Sequence, residues 1–177
     1  ALFFNALKKD SCLSLEEVFS LLTPFAAKNL PLMAQRAREL TLMKFGKTIQ
    51  LYAPLYLSNV CINSCVYCGF SQHGKAKTLS VEDACQEARF IHQKGFRHIL
   101  LVAGENPSDS FHKLLDQTVE AIKPLFSSIS IEIAPQSEQR YRELSSLGVD
   151  GLTMYQETYH PETYAKMHPS GPKADFR

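Results

Sequence analysis

Cys61, Cys65 and Cys68 stand within eight residues in the pattern CxxxCxxC, in a chain that holds five cysteines. An odd count with three thiols so closely spaced fits metal ligation in a reducing compartment better than a disulfide framework. Three thiolates at these spacings can wrap one iron–sulfur cubane, each on a different iron. An electron-transfer cluster is normally closed by four cysteines, so an iron left without a protein ligand can hold a small molecule. The competing reading is a Cys3His zinc site, with His73 supplying the nitrogen. CxxxCxxC is the less typical zinc spacing. Cys12 and Cys85 fall in segments that read as helical, where free cysteine behaves as a small hydrophobe, and neither is expected to be a fourth ligand.

The elements that must position this loop follow from the hydrophobic pattern. Residues 49–57 alternate as a first strand, with Pro54 marking a kink or an edge. Ser80 with Asp83 caps a helix whose inner face is Val81, Ala84, Cys85, Ala88 and Ile91, closed by Gly95. His98–Ala103 is a short apolar strand. Phe111, Leu114, Leu115, Val119 and Ile122 mark a helix stopped by Pro124, and Ser128–Ile133 alternates as a third strand. Ser137 opens a helix through Tyr141, Leu144 and Leu147 that Gly148 closes. Leu152–Tyr155 is the fourth strand, with Pro161 in the first turn of the next helix. Ahead of all this, a capping box at Ser14 and Glu17 starts a helix that Pro24 ends, and the spacing from Pro31 to Gly46 predicts another.

Strands alternating with helices predict an α/β fold with a parallel sheet, either a (β/α) barrel or an open doubly wound sheet. A complete eight-unit barrel needs about 250 residues, so four units are at most half of one. The expected organisation is an N-terminal helical extension over 1–48 and a half barrel over 49–177. Uncovered sheet edges and an initial alanine point to a processed N-terminus, further sequence or a partner subunit.

Four strand ends carry polar groups on one edge, where ligands bind in parallel α/β folds. They are the cysteine loop, Gly104–Glu105, Glu132 and Gln156–Glu157. Each acid has a plainer reading as a loop or helix-start residue. Glu132 alternates with Ile131 and Ile133, so in a closed barrel it faces inward while the isoleucines face the helices. Their convergence makes this edge the candidate site. His160, before Pro161, reads as a turn residue.

Composition narrows the classes further. With 177 residues, 45% hydrophobic and 21% charged, the chain can bury roughly 70% of its unfolded surface. Its 19 basic against 18 acidic residues give a net charge of +1, which argues against general nucleic-acid binding. No apolar run approaches a membrane span, and the N-terminus lacks the order of a secretory signal. A soluble cytoplasmic protein is expected.

The CxxxCxxC loop, with an aromatic before its last cysteine and Gly69, Phe70 and Ser71 after it, resembles the radical S-adenosylmethionine enzymes. The segments APLYLSNVCINSCVYCGFS, LLVAGE, YQETYH and AQRARELTLMKFG are similar to the 2-iminoacetate synthase family, the tyrosine lyases of thiamine thiazole biosynthesis. The resemblance implies a radical-SAM partial barrel and a 4Fe-4S cluster held by Cys61, Cys65 and Cys68, whose open iron chelates S-adenosylmethionine. It implies cleavage of the Cα–Cβ bond of L-tyrosine to dehydroglycine (2-iminoacetate) and p-cresol. It places Tyr67 beside the adenine, Gly69 where the backbone must approach closely, and Gly104 and Glu105 near the methionine amino group. Glu132, Gln156 and Glu157 become further cofactor contacts, and no residue of the chain is assigned as catalytic. The family's arginine for the methionine carboxylate is not assigned to Arg177. Implied partners are thiazole synthase and an electron donor such as flavodoxin or ferredoxin. Two alternatives stay open: the related tyrosine lyase of iron-iron hydrogenase maturation, which has an additional C-terminal cluster, and a non-catalytic iron–sulfur or zinc module.

Overall fold

The computed structural model describes residues 1–72, 75–154 and 156–176, with Ser71 and Gln72 described by their backbone alone. His73, Tyr155 and Arg177 lie outside the described residues. The chain divides into two compact units, Ala1–Ile49 and Gln50–Arg177.

The first unit is made of α1 (Leu2–Lys8), α2 (Leu15–Leu21), α3 (Pro24–Ala27) and α4 (Leu30–Phe45). The expected capping box is present: Ser14 Oγ accepts from Glu17 N, and Glu17 Oε2 accepts from Ser14 N and from Lys9 Nζ. Pro24 does not simply end a helix. It is the first residue of α3, where its missing N–H costs nothing, and Thr23 caps that turn. Phe3 is buried edge-on between Phe4 and Phe25, with centroids 5.2 and 5.3 Å away. Gly46 closes α4 at φ +64°, yet no residue of α4 is buried among the described residues.

The second unit is built on β1 (Tyr52–Ser58), β2 (His98–Ala103), β3 (Ser128–Glu132) and β4 (Gly151–Leu152), all parallel in the order β1-β2-β3-β4. Strand order equals chain order. A doubly wound sheet reverses direction at its switch point, whereas a sheet that always adds its next strand on the same side is the start of a barrel. The architecture is therefore four βα units of a partial (β/α) barrel, with an open sheet.

Strand alternation sends Leu55, Leu57, Ile99, Leu101, Ile129 and Ile131 to one face, where all are buried. They pack under α6 (Val81–Gln93), α7 (Asp109–Ile122) and α8 (Glu138–Leu147), through Ala84, Ala88, Leu115, Val119 and Leu144. Each of these helices starts as its sequence dictates, with Ser80, Ser108 or Ser137 accepting from the N–H three residues on. Full burial of each branched aliphatic side chain contributes about 1.5–3 kcal/mol.

Two strands differ from expectation. β1 begins at Tyr52 rather than residue 49, because Ile49 and Leu51 are exposed and have no neighbouring strand. β4 is short and early: only Gly151 and Leu152 join the ladder, opposite Ser130 and Ile131. Beyond β4 the chain leaves the sheet and forms α9 (Pro161–Met167).

Candidate metal centre

A register shift between Tyr56 and Ser58 bends the end of β1 just before the cysteines. Ser58, 2% exposed, anchors the bend: its Oγ pairs with Thr78 Oγ1 at 2.8 Å and accepts from Val60 N at 3.2 Å. Its carbonyl accepts from Gly104 N at 3.0 Å, and Ile62 N donates to the Glu105 carbonyl at 3.0 Å. The cysteine loop is thereby laid against the end of β2. Gly104 is required by that closeness, since a Cβ there would lie 2.5 Å from the Val60 carbonyl and 2.8 Å from Cys61 Cβ. Gly69, expected to serve close approach, differs. Among the described residues a Cβ on it would meet nothing within 4 Å, so none of their atoms demands glycine at the start of α5 (Gly69–Gln72).

The other wall of the loop comes from residues 157–173. Val66 N donates to the Met167 carbonyl at 2.9 Å and Ser64 N to the Ser170 carbonyl at 3.2 Å, while Ser170 Oγ donates to Ser64 Oγ at 2.9 Å. Tyr67 joins the same wall through its hydroxyl, 2.7 Å from both Glu157 Oε1 and His168 Nε2. His168 is 1% exposed, stacks on Tyr164 at 4.0 Å and has Nδ1 2.9 Å from the Tyr164 carbonyl. A carbonyl only accepts, so Nδ1 carries a proton. Lys173 Nζ completes the cluster 2.5 Å from Glu157 Oε1.

The electrostatics follow from these contacts. Burial works to raise the Glu157 pKa, but hydrogen bonds from Lys173 and Tyr67 outweigh it and hold the carboxyl below its ordinary range. Burial works to lower Lys173, and the Glu157 carboxylate more than offsets it, leaving the amine above its ordinary value. Tyr67 is pushed far up by burial and by Glu157, so it remains a hydroxyl. Burial also raises the Cys65 thiol, against the pull of Lys173 and the Tyr67 hydroxyl, and charges on Cys68 and Cys61 add to the rise.

The structure thus brings together Cys61, Cys65, Cys68, Tyr67, Gly104, Glu105 and Glu157. Cys65 is 5% exposed, whereas Cys61 and Cys68 are half-buried. Glu132 reaches the same region from β3: it lines a cavity of about 610 Å³ with Tyr52, Pro54 and Tyr56 of β1, Leu100 and Val102 of β2, and Cys68, Gly69 and Phe70. It therefore shares the sheet face opposite the isoleucines. Gln156 is engaged elsewhere, its Nε2 donating to the Phe176 carbonyl at 3.4 Å. His160 caps α9, with Nδ1 accepting from Thr163 N at 3.2 Å. Cys85 is buried in the core and Cys12 is exposed in the first unit. Asn63, His168, Gly171 and Lys173 were not singled out by sequence. Their partners are up to 110 residues away, and only the Gly171–Pro172 turn signal hinted that the chain reverses there.

The Radical SAM superfamily model matches residues 55–177. The chain belongs to this family. It is 44% identical over 168 residues to 2-iminoacetate synthase of Escherichia coli (strain K12), covering 94% of this chain and 45% of that protein. Among solved structures it is similar to HydG, a maturase of the FeFe-hydrogenase, with a TM-score of 0.85 and 29% identity over 98% of this chain and 40% of that one. HydG from Carboxydothermus hydrogenoformans is 34% identical, with a TM-score of 0.75, covering 97% of this chain and 38% of that one. The chain spans less than half the length of these relatives.

The donor set of this radical SAM chain fits an iron–sulfur cluster. Burial pushes the Cys65 thiol up, and a coordinating metal supplies the positive charge that stabilises a thiolate there. Among the described residues no three His, Cys, Asp or Glu converge as one ion requires. Thiolates that each take a different iron need no such convergence. No described helix is long and apolar enough to cross a membrane.

Proposed function

We propose that the chain is the cofactor-binding half of a radical S-adenosylmethionine lyase that cleaves the Cα–Cβ bond of L-tyrosine, giving dehydroglycine and p-cresol for thiazole biosynthesis. The observation that carries this reading is the cysteine loop clamped between the Gly104–Glu105 turn and the Glu157 carboxylate. The similarity to 2-iminoacetate synthase supports the substrate and the C–C lyase chemistry.

Cys61, Cys65 and Cys68 would hold a 4Fe-4S cluster, and with three protein ligands it would leave a position for the amino acid end of S-adenosylmethionine. Bound together, cluster and cofactor supply one-electron cleavage of the sulfonium and a 5'-deoxyadenosyl radical able to take a hydrogen atom from tyrosine. The protein's work is placement. Glu105 offers a carboxylate to the methionine ammonium, a charge-assisted contact of about 1.5–3 kcal/mol. Gly104 keeps the loop within reach. Tyr67, pinned by Glu157 and His168, holds its ring beside the loop as a surface for adenine. Gly69 stands next to Cys68, Glu132 adds a polar group at the end of β3, and Gln156, tied to the Phe176 carbonyl beyond β4, would reach the cofactor only by exchanging that bond. The cavity between β1 and β3, lined by Tyr52, Tyr56, Leu100, Val102 and Glu132, offers the space beside Cys68 in which the tyrosine substrate would lie.

The reading calls for an electron donor such as flavodoxin or ferredoxin, and thiazole synthase would take the unstable imine. The likeness to HydG favours one second reading, a tyrosine lyase of hydrogenase maturation. The test is anaerobic incubation of the reduced full-length protein with S-adenosylmethionine and L-tyrosine, followed by chromatography. Equal p-cresol and 5'-deoxyadenosine are expected. 5'-Deoxyadenosine without p-cresol would overturn the substrate, absence of both would overturn the radical reading, and a second C-terminal cluster would favour maturation.

A further inference from the structure

Asn63 sits between Cys61 and Cys65 and is 4% exposed. Its carboxamide works at both ends. Nδ2 donates to Glu105 Oε2 at 2.5 Å and to Cys61 Sγ at 3.7 Å, and Oδ1 accepts from Lys173 N at 2.8 Å. These partners come from three parts of the chain: the cysteine loop, the loop after β2 and the turn after α9. The amide can face only one way, because the Lys173 N–H can only donate and so claims the oxygen. The NH2 group is thereby turned to the carboxylate and the sulfur. The turn is moulded on this side chain: Gly171 has φ +90°, and a Cβ there would lie 2.5 Å from Asn63 Oδ1 and 2.7 Å from its Cα.

We propose that Asn63 is a positioning residue that couples the acidic group at the end of β2 to the cluster ligand Cys61. This rests on the reading of Glu105 as the acceptor of the methionine ammonium. With Oε2 tied to a buried donor, the Glu105 carboxylate is held in one orientation before any cofactor arrives. The same NH2 places a neutral donor on the Cys61 sulfur. Hydrogen bonds to cluster sulfurs help set the reduction potential, because they stabilise the more negative reduced state. Neither a carboxylate nor an ammonium at position 63 could both accept from Lys173 N and donate to Glu105.

The test uses the anaerobically reconstituted full-length protein with Asn63→Asp, Glu105→Gln and the double substitution. Readouts are iron content, the midpoint potential of the cluster without cofactor, and S-adenosylmethionine affinity by titration. Asn63→Asp keeps the size and the acceptor for Lys173 but loses the donor. It is expected to weaken cofactor binding roughly tenfold or more and to shift the potential downward. Glu105→Gln still accepts from Asn63, so it weakens cofactor binding, and because it removes a negative charge beside the cluster it shifts the cofactor-free potential upward, opposite to Asn63→Asp. The double substitution keeps the net charge and reverses donor and acceptor in the same pair. Any iron lost in Asn63→Asp is therefore recovered, while the potential stays lowered. Wild-type affinity and potential in Asn63→Asp would overturn the proposal, as would iron lost in the single variant and not recovered in the double. Unchanged affinity in Glu105→Gln would instead remove Glu105 from the cofactor site, and the Cys61 coupling would still be decided by the potential.

Discussion

On one face of the sheet Leu57, Ile99, Leu101, Ile129 and Ile131 are at most 2% exposed beneath α6, α7 and α8, while on the other Tyr52 and Tyr56 are 60% and 56% exposed beside Cys68 and Glu132. Neighbouring residues of one strand therefore do different work, because alternate side chains point to opposite faces. The aliphatic face carries the packing that holds the strands in register. The other face, with its rim of cysteines and acids, lines the cavity beside Cys68. Fold and chemistry are separated by a single step along the chain, so each face should fail in its own way.

The largest separation is expected from Cys65→Ala. Iron content of the reconstituted protein should fall to background while cooperative thermal unfolding persists near the wild-type midpoint, since the loop lies outside the aliphatic core. Full iron in that variant would break the distinction from the rim side. Leu101→Ala strikes the other face. A buried leucine truncated to alanine costs about 2–5 kcal/mol, read as a shift in the denaturant midpoint, and a negligible shift would mean that the aliphatic face is not the stabilising one.

Acid should loosen the rim before it reaches the core. The Glu157 carboxyl is held below its ordinary range, so its contribution is present above that range and is lost as pH falls through the lowered value. Lys173 is raised, so its share is complete below the ordinary lysine value and is lost as pH rises through the raised one. Between these limits the ties are constant. Hydrogen exchange at the Ser64 and Val66 amides, which donate to Ser170 and Met167, should accelerate as pH falls below the ordinary carboxylate range, after correction for intrinsic rates. Glu157→Gln should show that acceleration already at neutral pH. The smallest effect is expected from Tyr52→Ser, within about 1 kcal/mol of wild-type stability, and a loss as large as that of Leu101→Ala would erase the contrast between the faces.

The sheet's aliphatic face was legible because its signals are local. The alternation at Ser128–Glu132, the apolar run His98–Ala103 and the serine caps at Ser80 and Ser137 each act within a few residues. β4 was read too long because Leu152 and Met154 keep the alternation, whereas the chain leaves the ladder after Leu152 although β3 continues to Glu132. Pro24 was read as a stop because its role as a helix start depends on Thr23 capping the next turn. At the rim, the cysteines, Glu105 and Glu157 stood out by residue type and by their place after strands. Asn63, His168 and Lys173 did not, since an amide, a buried imidazole and a lysine acquire their roles only when the turn at Gly171 folds back onto the cysteine loop.

The central claim is that the rim holds a cluster with an open iron that takes S-adenosylmethionine. Low-temperature EPR of the anaerobically reconstituted, reduced protein, recorded with and without S-adenosylmethionine, tests it most directly. The account predicts a reduced 4Fe-4S signal whose g-values change when the cofactor is added. A cluster signal indifferent to the cofactor, or bound zinc with no cluster, would contradict it.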